Sequence, residues 1–270
     1  MFSTAFTFQG GLDPDAAKFI YYAGLTVGTQ IQAVNRLVTD LKTTSDFWNR
    51  CKVFWPIVGG NATSHSFNLK DPTLYSISSY TNITHGATGM YSTTFNGHAD
   101  TSWDPNTAYG STQSASIVIY TIGTRGGGNY PYDIGCSQNT GGNSQFNLTQ
   151  YQTQDQYANM RNCYIELGGV SSNTPGFQAV TSVQSGTDFV GVKYQGATQQ
   201  YSVTVAEASL VGQWPSTTLS MCSQKYEDES YVYSGRSFAG GGCFDYLSQA
   251  EITSMWEIMN RYQTTLGRNV

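Results

Sequence analysis

"SIVIYTIGT", residues 116–124, is a short run of Ile, Val, Tyr and Thr that stops at a glycine turn, the composition of a pleated strand. Similar runs follow: "NCYIELGGV" (162–170), "DFVGVKY" (188–194) and "QYSVTVAEA" (200–208). From about residue 60 to 245 such segments alternate with clusters of Gly, Asn, Ser and Asp. Many short strands with recurrent turn signals predict a β-sandwich or jelly roll. No repeat of fixed period is visible, which argues against a propeller or solenoid. The Gly-rich stretch "GTRGGGNYPYDIGCSQNTGGNSQ" reads as a long loop with a strand inside it.

Helical grammar is confined to the two ends. "LDPDAAKFIYYAG" opens on Asp-Pro-Asp and closes on Gly24, which predicts a helix over about 13–23. "TQIQAVNRLVTDLKT" places Ile31, Val34, Leu37, Val38 and Leu41 on one face of a second helix over about 29–43. Ser45 is the expected cap of a third helical turn, after which the apolar run "VFWPIVGG" leaves helix. Near the other end, Ser248 and Glu251 form a capping box ahead of the apolar face Ile252, Met255, Trp256 and Met259. This helix is expected to pack on the sandwich and cover an edge or face of it.

Composition excludes several functions. Only 11% of residues are charged and the net charge is −5, with Lys and Arg scattered singly, so the basic footprint of a nucleic-acid binder is missing. No apolar run reaches the roughly 18 residues of a membrane span, and the start carries no basic, apolar export signal. A soluble protein is expected, without membrane insertion. Five widely spaced cysteines show no zinc pattern and read as free, core-type thiols. A serine nucleophile elbow and a phosphate-binding P-loop are also missing.

"MYSTTFNGHADTSW" (90–103) contains Asn96-Gly97, the strongest two-residue hairpin signal. A hairpin there pairs Phe95 with His98, Thr93 with Asp100 and Met90 with Trp103, and puts His98 and Asp100 on one sheet face, about 7 Å apart. The stretch is either a polar hairpin end or a Ca²⁺ site built on Asp100, Asp104 and loop carbonyls. Zinc is disfavoured because only His65 and His85 remain as further histidine ligands. The acidic run "KYEDESY" lets Glu227 and Glu229 share a strand face, yet nothing apolar surrounds them to raise one carboxyl for acid catalysis. Two Tyr/Gly/Ser loops suit binding better, as rigid aromatic platforms with adaptable polar neighbours. They are "GGGNYPYDIG", with Tyr130, Tyr132 and Asp133, and "KYEDESYVYSG", with Tyr226, Tyr231 and Tyr233.

"GMYSTTFNGHADTSW" resembles the early strand pair of concanavalin A-like, laminin-G-like domains. More broadly, "AAKFIYYAGLTVGTQIQAVNRLVTDLK", "FWPIVGGNATSHSFNLKDP" and the terminal "YQTTLGRNV" resemble a recurrent bacteriophage virion protein of tail, fibre or spike type. The resemblance is strongest over residues 13–72 and 238–270 and weakest over 125–230. It implies a mainly β, concanavalin A-like antiparallel sandwich (59–270, with a C-terminal helix) behind an N-terminal arm and helical attachment segment (1–58). The implied role is a non-enzymatic spike or fibre on the virion surface that binds a host envelope receptor, with carbohydrate as the expected target. The alternatives are a purely architectural decoration or tail protein and, behind it, a glycan-cleaving enzyme on the same fold. Other virion proteins are the expected partners, Phe2, Phe6 and Phe8 the expected attachment residues, and a homo-oligomer, a trimer by analogy with phage fibres, the expected assembly.

Overall fold

A computed structural model describes residues 11–92, 94, 96–111, 114–123, 132–138, 144–152, 155–161, 163–167, 175–182, 189–195, 198–205 and 214–270. The fold is a mainly β, concanavalin A-like sandwich with few helices. The chain begins with α1 (Pro14–Ala23), α2 (Gly28–Thr43), α3 (Phe47–Arg50), β1 (Cys51–Trp55) and α4 (Ala62–Ser66). It continues through β2 (Ile77–Thr81), β3 (Thr84–Gly86), β4 (Gly89–Tyr91), β5 (His98–Thr101), α5 (Pro105–Tyr109) and β6 (Ala115–Ile122). Then come β7 (Tyr132–Ser137), β8 (Gln145–Gln152), β9 (Asp155–Arg161), β10 (Cys163–Leu167), β11 (Gly176–Ser182), β12 (Phe189–Gln195) and β13 (Thr198–Val205). The last elements are β14 (Ser220–Met221), β15 (Ser223–Tyr226), β16 (Tyr231–Tyr233), β17 (Ser237–Phe244) and α6 (Gln249–Thr265).

One sheet runs β13-β12-β11-β6-β17-β4-β3, with β1 also on β17, and the other runs β10-β9-β8-β7-β14-β5-β2. The central strands of the first sheet, β11, β6 and β17, are buried on both faces. Ile117 and Ile119 of β6 enter the core between the sheets, whereas Val118 and Tyr120 point into a second core beneath the helices. That double burial is why the β6 sequence is continuously apolar and does not alternate. The stripe of α2 (Val34, Leu37, Val38 and Leu41), with Phe19 of α1 and Ile252, Met255 and Met259 of α6, fills the outer core. The helices therefore satisfy their apolar faces on the chain's own sheet. The boundary expected near residue 58 does not mark a break: β1 lies before it and pairs with β17, for example Val53 with Cys243.

Local signals set most helix ends. Asp13 caps α1 by accepting from the Asp15 amide at 2.9 Å, and Gly24 ends it in the left-handed region, at φ 63°. The Ser248/Glu251 capping box of α6 is formed. The third helical turn differs from expectation: its cap residue is Asp46, at φ 56°, and no side chain makes the cap bond.

The hairpin expected at Asn96-Gly97 does not form. Met90 lies in β4 opposite His85 and Phe238, while β5 pairs with β2 and β14 in the other sheet. Met90, Ala99 and Trp103 all belong to the core between the sheets, and the chain crosses from one sheet to the other to bury them. Tertiary burial overrides the turn signal here. Gly97 instead permits a close approach, since a Cβ on it would sit 2.5 Å from the Asn82 carbonyl oxygen and 2.7 Å from the Ser92 side chain.

Arg268 ties the ends together. It is 5% exposed and bonds the carbonyls of Pro56, Ile57, Ala87 and Ala239 and the Gln263 side-chain oxygen at 2.5–3.2 Å, using all five of its N–H donors. Arg268→Lys keeps the charge but cannot reach as many acceptors, and is expected to lower unfolding free energy by at least about 2 kcal/mol. Gly242→Ala places a Cβ 2.3 Å from the Val53 carbonyl oxygen and should cost about 1–3 kcal/mol. Urea unfolding midpoints check both, and wild-type stability in either variant would contradict the packing described.

Candidate functional site

The two sheets differ on their outer faces: the first is covered by helices, the second carries polar side chains. Alternation along β5 sends Ala99 into the core, so His98 and Asp100 share the opposite face. At Cys222, with φ 60°, the chain leaves β14 and reverses, so that β15 runs parallel to β7 and forms a hairpin with β16. The hairpin's Ser223, Lys225, Tyr231 and Tyr233 share one side by register. That side meets β5.

The contacts are specific. Tyr231 stacks on His98 with ring centroids 3.8 Å apart and 10° between planes, and Tyr233 lies beside both at 6.0–6.1 Å. The Tyr231 hydroxyl donates to Asp100 Oδ2 at 2.6 Å, and His98 Nε2 is 4.0 Å from the same oxygen. Lys225 Nζ lies 3.7 Å from Asp100 Oδ2 and 2.9 Å from Glu229 Oε2. Burial holds the His98 imidazole below its ordinary pKa against the opposing pull of Asp100, so the ring is neutral near pH 7. Burial, then the bond to Asp100, pushes the Tyr231 phenol upward and keeps it a donor. Asp100 Oδ1 and His98 Nδ1 are buried and make no hydrogen bond within the described structure. Parallel rings beside a carboxylate can hold a flat, hydroxyl-bearing ligand.

Of the expected binding residues, Tyr226, Tyr231 and Tyr233 lie together on the β15–β16 hairpin and are partly exposed. Tyr132 and Asp133 do not form a contact loop. Tyr132 is 5% exposed and hydrogen-bonds Tyr226. Asp133 is buried in an ion pair with Arg236 at 3.1 Å and also accepts from the Ser234 hydroxyl. They sit in β7, whose both faces are covered. Tyr130, Phe2, Phe6 and Phe8 lie outside the described residues. Asp104 does not join Asp100: its carboxylate caps α5, accepting from Asn106 N at 2.8 Å and Thr107 Oγ1 at 2.9 Å. Among the described residues no three His, Cys, Asp or Glu side chains group as a cation site requires. Sequence reasoning missed Lys225 and the stacking of Tyr231 on His98, 133 residues apart in sequence. The alternation of His98 and Asp100 was the available signal, and nothing local linked it to the hairpin.

The other two histidines pair elsewhere. His65, 1% exposed, accepts from Gly60 N through Nε2 at 3.2 Å and meets His85 Nδ1 through its own Nδ1 at 3.0 Å. One proton serves both Nδ1 atoms. Tyr80 packs edge-on against His85 at 4.6 Å.

No protein-family model and no curated protein matches the sequence. Among solved structures, the fold is similar to a mutant Trypanosoma rangeli sialidase displaying trans-sialidase activity, with TM-score 0.54 and 9% identity over 85% of this chain and 39% of that one. The binding domain of botulinum neurotoxin DC, solved with rat synaptotagmin II, gives TM-score 0.49 and 11% identity over 78% of this chain and 52% of that one. The CBM40 of Ruminococcus gnavus IT-sialidase gives 0.40 and 11% over 53% and 83%. The first is a likeness of fold alone, and the other two are weaker. The chain spans 39% or less of the length of the sialidases it matches.

The His65–His85 pair has a readable consequence in acid. Burial, then the neighbouring His85 and Arg268, lowers His65 to about 3, and burial lowers His85 as well. The folded state then binds fewer protons than the unfolded chain, so this stabilisation is complete above about pH 6.5 and is lost as pH falls toward the folded value. Wild type is expected to lose up to about 2–3 kcal/mol between pH 7 and 4.5 from this residue. His65→Gln should lose markedly less, read from urea midpoints at both pH values. Equal acid losses in the two proteins would contradict the assignment.

Proposed function

We propose that this chain is a non-enzymatic carbohydrate-binding protein that holds a surface glycan against the Tyr231–Tyr233 hairpin. The observation that carries the reading is the joining of three near-parallel rings, two of them partly exposed tyrosines of the β15–β16 hairpin, to a carboxylate. The C–H face of a pyranose packs on such rings, and its hydroxyls donate to a carboxylate in charge-assisted bonds. The concanavalin A-like fold supports the reading as a scaffold. The sequence resemblance over residues 13–72 and 238–270 supports a place on a bacteriophage particle, with a host envelope glycan as the target. Repetition of the site in a homo-oligomer, a trimer in this proposal, would turn weak single contacts into firm attachment.

A glycan-cleaving role needs two carboxylates placed across one sugar bond. Asp100 and Glu229 flank the cluster, but both are turned to Lys225, and the Glu229 side chain is 70% exposed on the turn. That arrangement favours holding a sugar over cleaving it. A purely architectural role leaves the cluster unused.

Binding of the purified protein to a printed glycan panel and to host cells tests the proposal. Tyr233→Ala, at a partly exposed ring, is expected to weaken glycan binding about tenfold, or about 1.4 kcal/mol, with an unchanged melting temperature. Tight incorporation into particles with no glycan or cell binding would favour the architectural role, and release of free sugar would favour the enzyme.

A further inference from the structure

We infer that the hairpin site selects neutral glycans and rejects those bearing a carboxylate, an inference that rests on the carbohydrate-binding reading above. The site has many acceptors and few donors. Asp100 keeps one buried oxygen without a donor, in a residue 8% exposed. The turn joining β15 to β16 adds Glu227, Asp228 and Glu229, all exposed.

Against these stands Lys225, already engaged. Its side chain is 12% exposed and its ammonium lies between Glu229, at 2.9 Å, and Asp100, at 3.7 Å. Arg236 is committed to Asp133, both within the interior. His98 is neutral near pH 7 and adds no positive charge. Among the described residues the cluster therefore presents one cation, Lys225, which Glu229 already holds and Asp100 adjoins. Four carboxylates against one ammonium also make its local field negative, in a chain whose net charge is −5.

The chemistry of the two ligand classes then separates them. Sugar hydroxyls bring donors and no charge, while their apolar face packs on Tyr231 and Tyr233. A sialic or uronic acid brings another acceptor and a negative charge. Its carboxylate would be desolvated beside Asp100 and Glu229 without a partner, and like charges brought together across an interface oppose binding.

The test uses the full chain and a panel of neutral hexose and N-acetylhexosamine oligosaccharides, each paired with its sialylated or uronic-acid counterpart. The neutral member is expected to bind at least tenfold more tightly at low salt, with a smaller margin in 0.5 M salt on the order of the screening expected there. The double variant Glu227→Gln, Asp228→Asn lies on the exposed turn and leaves the Lys225–Glu229 pair in place. It should keep neutral binding and shrink the margin at least threefold. Preference for the carboxylated member, with both members weakened by Tyr233→Ala, overturns the selectivity and leaves the carbohydrate reading standing. Equal binding of the two members overturns it as well. A folded wild type that binds no member of either class overturns the carbohydrate reading itself.

Discussion

The fold closes on a single buried guanidinium. Arg268 lies beyond the end of α6, yet it bonds the turn after β1, the β3–β4 turn and the middle of β17. These acceptors are carbonyls that the strand ladders leave over, and a buried carbonyl without a donor is costly. One planar side chain with five donors satisfies them together. Tyr262 adds a bond to Pro56, and Val270 and the Tyr120 hydroxyl bond each other. The helical layer is thus tied to the first sheet by polar contacts as well as by its apolar stripes, and the sheet's central strands stay dry on both faces.

The second sheet carries a buried polar layer. Its outer face is built from amides, hydroxyls and acids: Asn147 bonds Gln145 and Gln224 and accepts from Asn159, and Ser220 bonds Ser223. The side chains of Asn147, Gln224, Ser220 and Ser223 are buried and pair with one another by hydrogen bonds. The β15–β16 hairpin lies on this face because Cys222 adopts a left-handed conformation, and it brings aromatic rings to an otherwise polar sheet. The division of labour between sheets therefore begins with where the helices dock.

The sequence predicts the fold class well, because burial leaves regular marks. The runs at 116–124, 188–194 and 200–208 became β6, β12 and β13, and the two long helices fall within a residue of their expected limits at most ends. Those marks are local: caps, periodic stripes and β-branched runs. The site was legible only in halves. His98 and Asp100 could be placed on one face, and the hairpin tyrosines could be marked as a contact loop. Their meeting depends on strand order, which has no local signature. Asn96-Gly97 misled for the same reason, since its turn preference is small beside the burial of Met90, Ala99 and Trp103. Asp133 looked like a loop acid because the glycines before it suggest exposure, whereas its partner Arg236 lies 103 residues away.

The glycines of β17 and the acids of the hairpin turn stand at opposite limits of tolerance to change. At Gly241 and Gly242 a methyl group would meet carbonyl oxygens of β6 and β1, at 2.5 and 2.3 Å, so almost any mutation there strikes the backbone of a neighbouring strand. Residues 227–229 are exposed on a tight turn, where side chains can change without disturbing the core. Drift and selection can therefore act on the rim that meets a ligand while the frame behind it stays fixed. A lineage of such chains would diverge first in what it binds and last in how it folds.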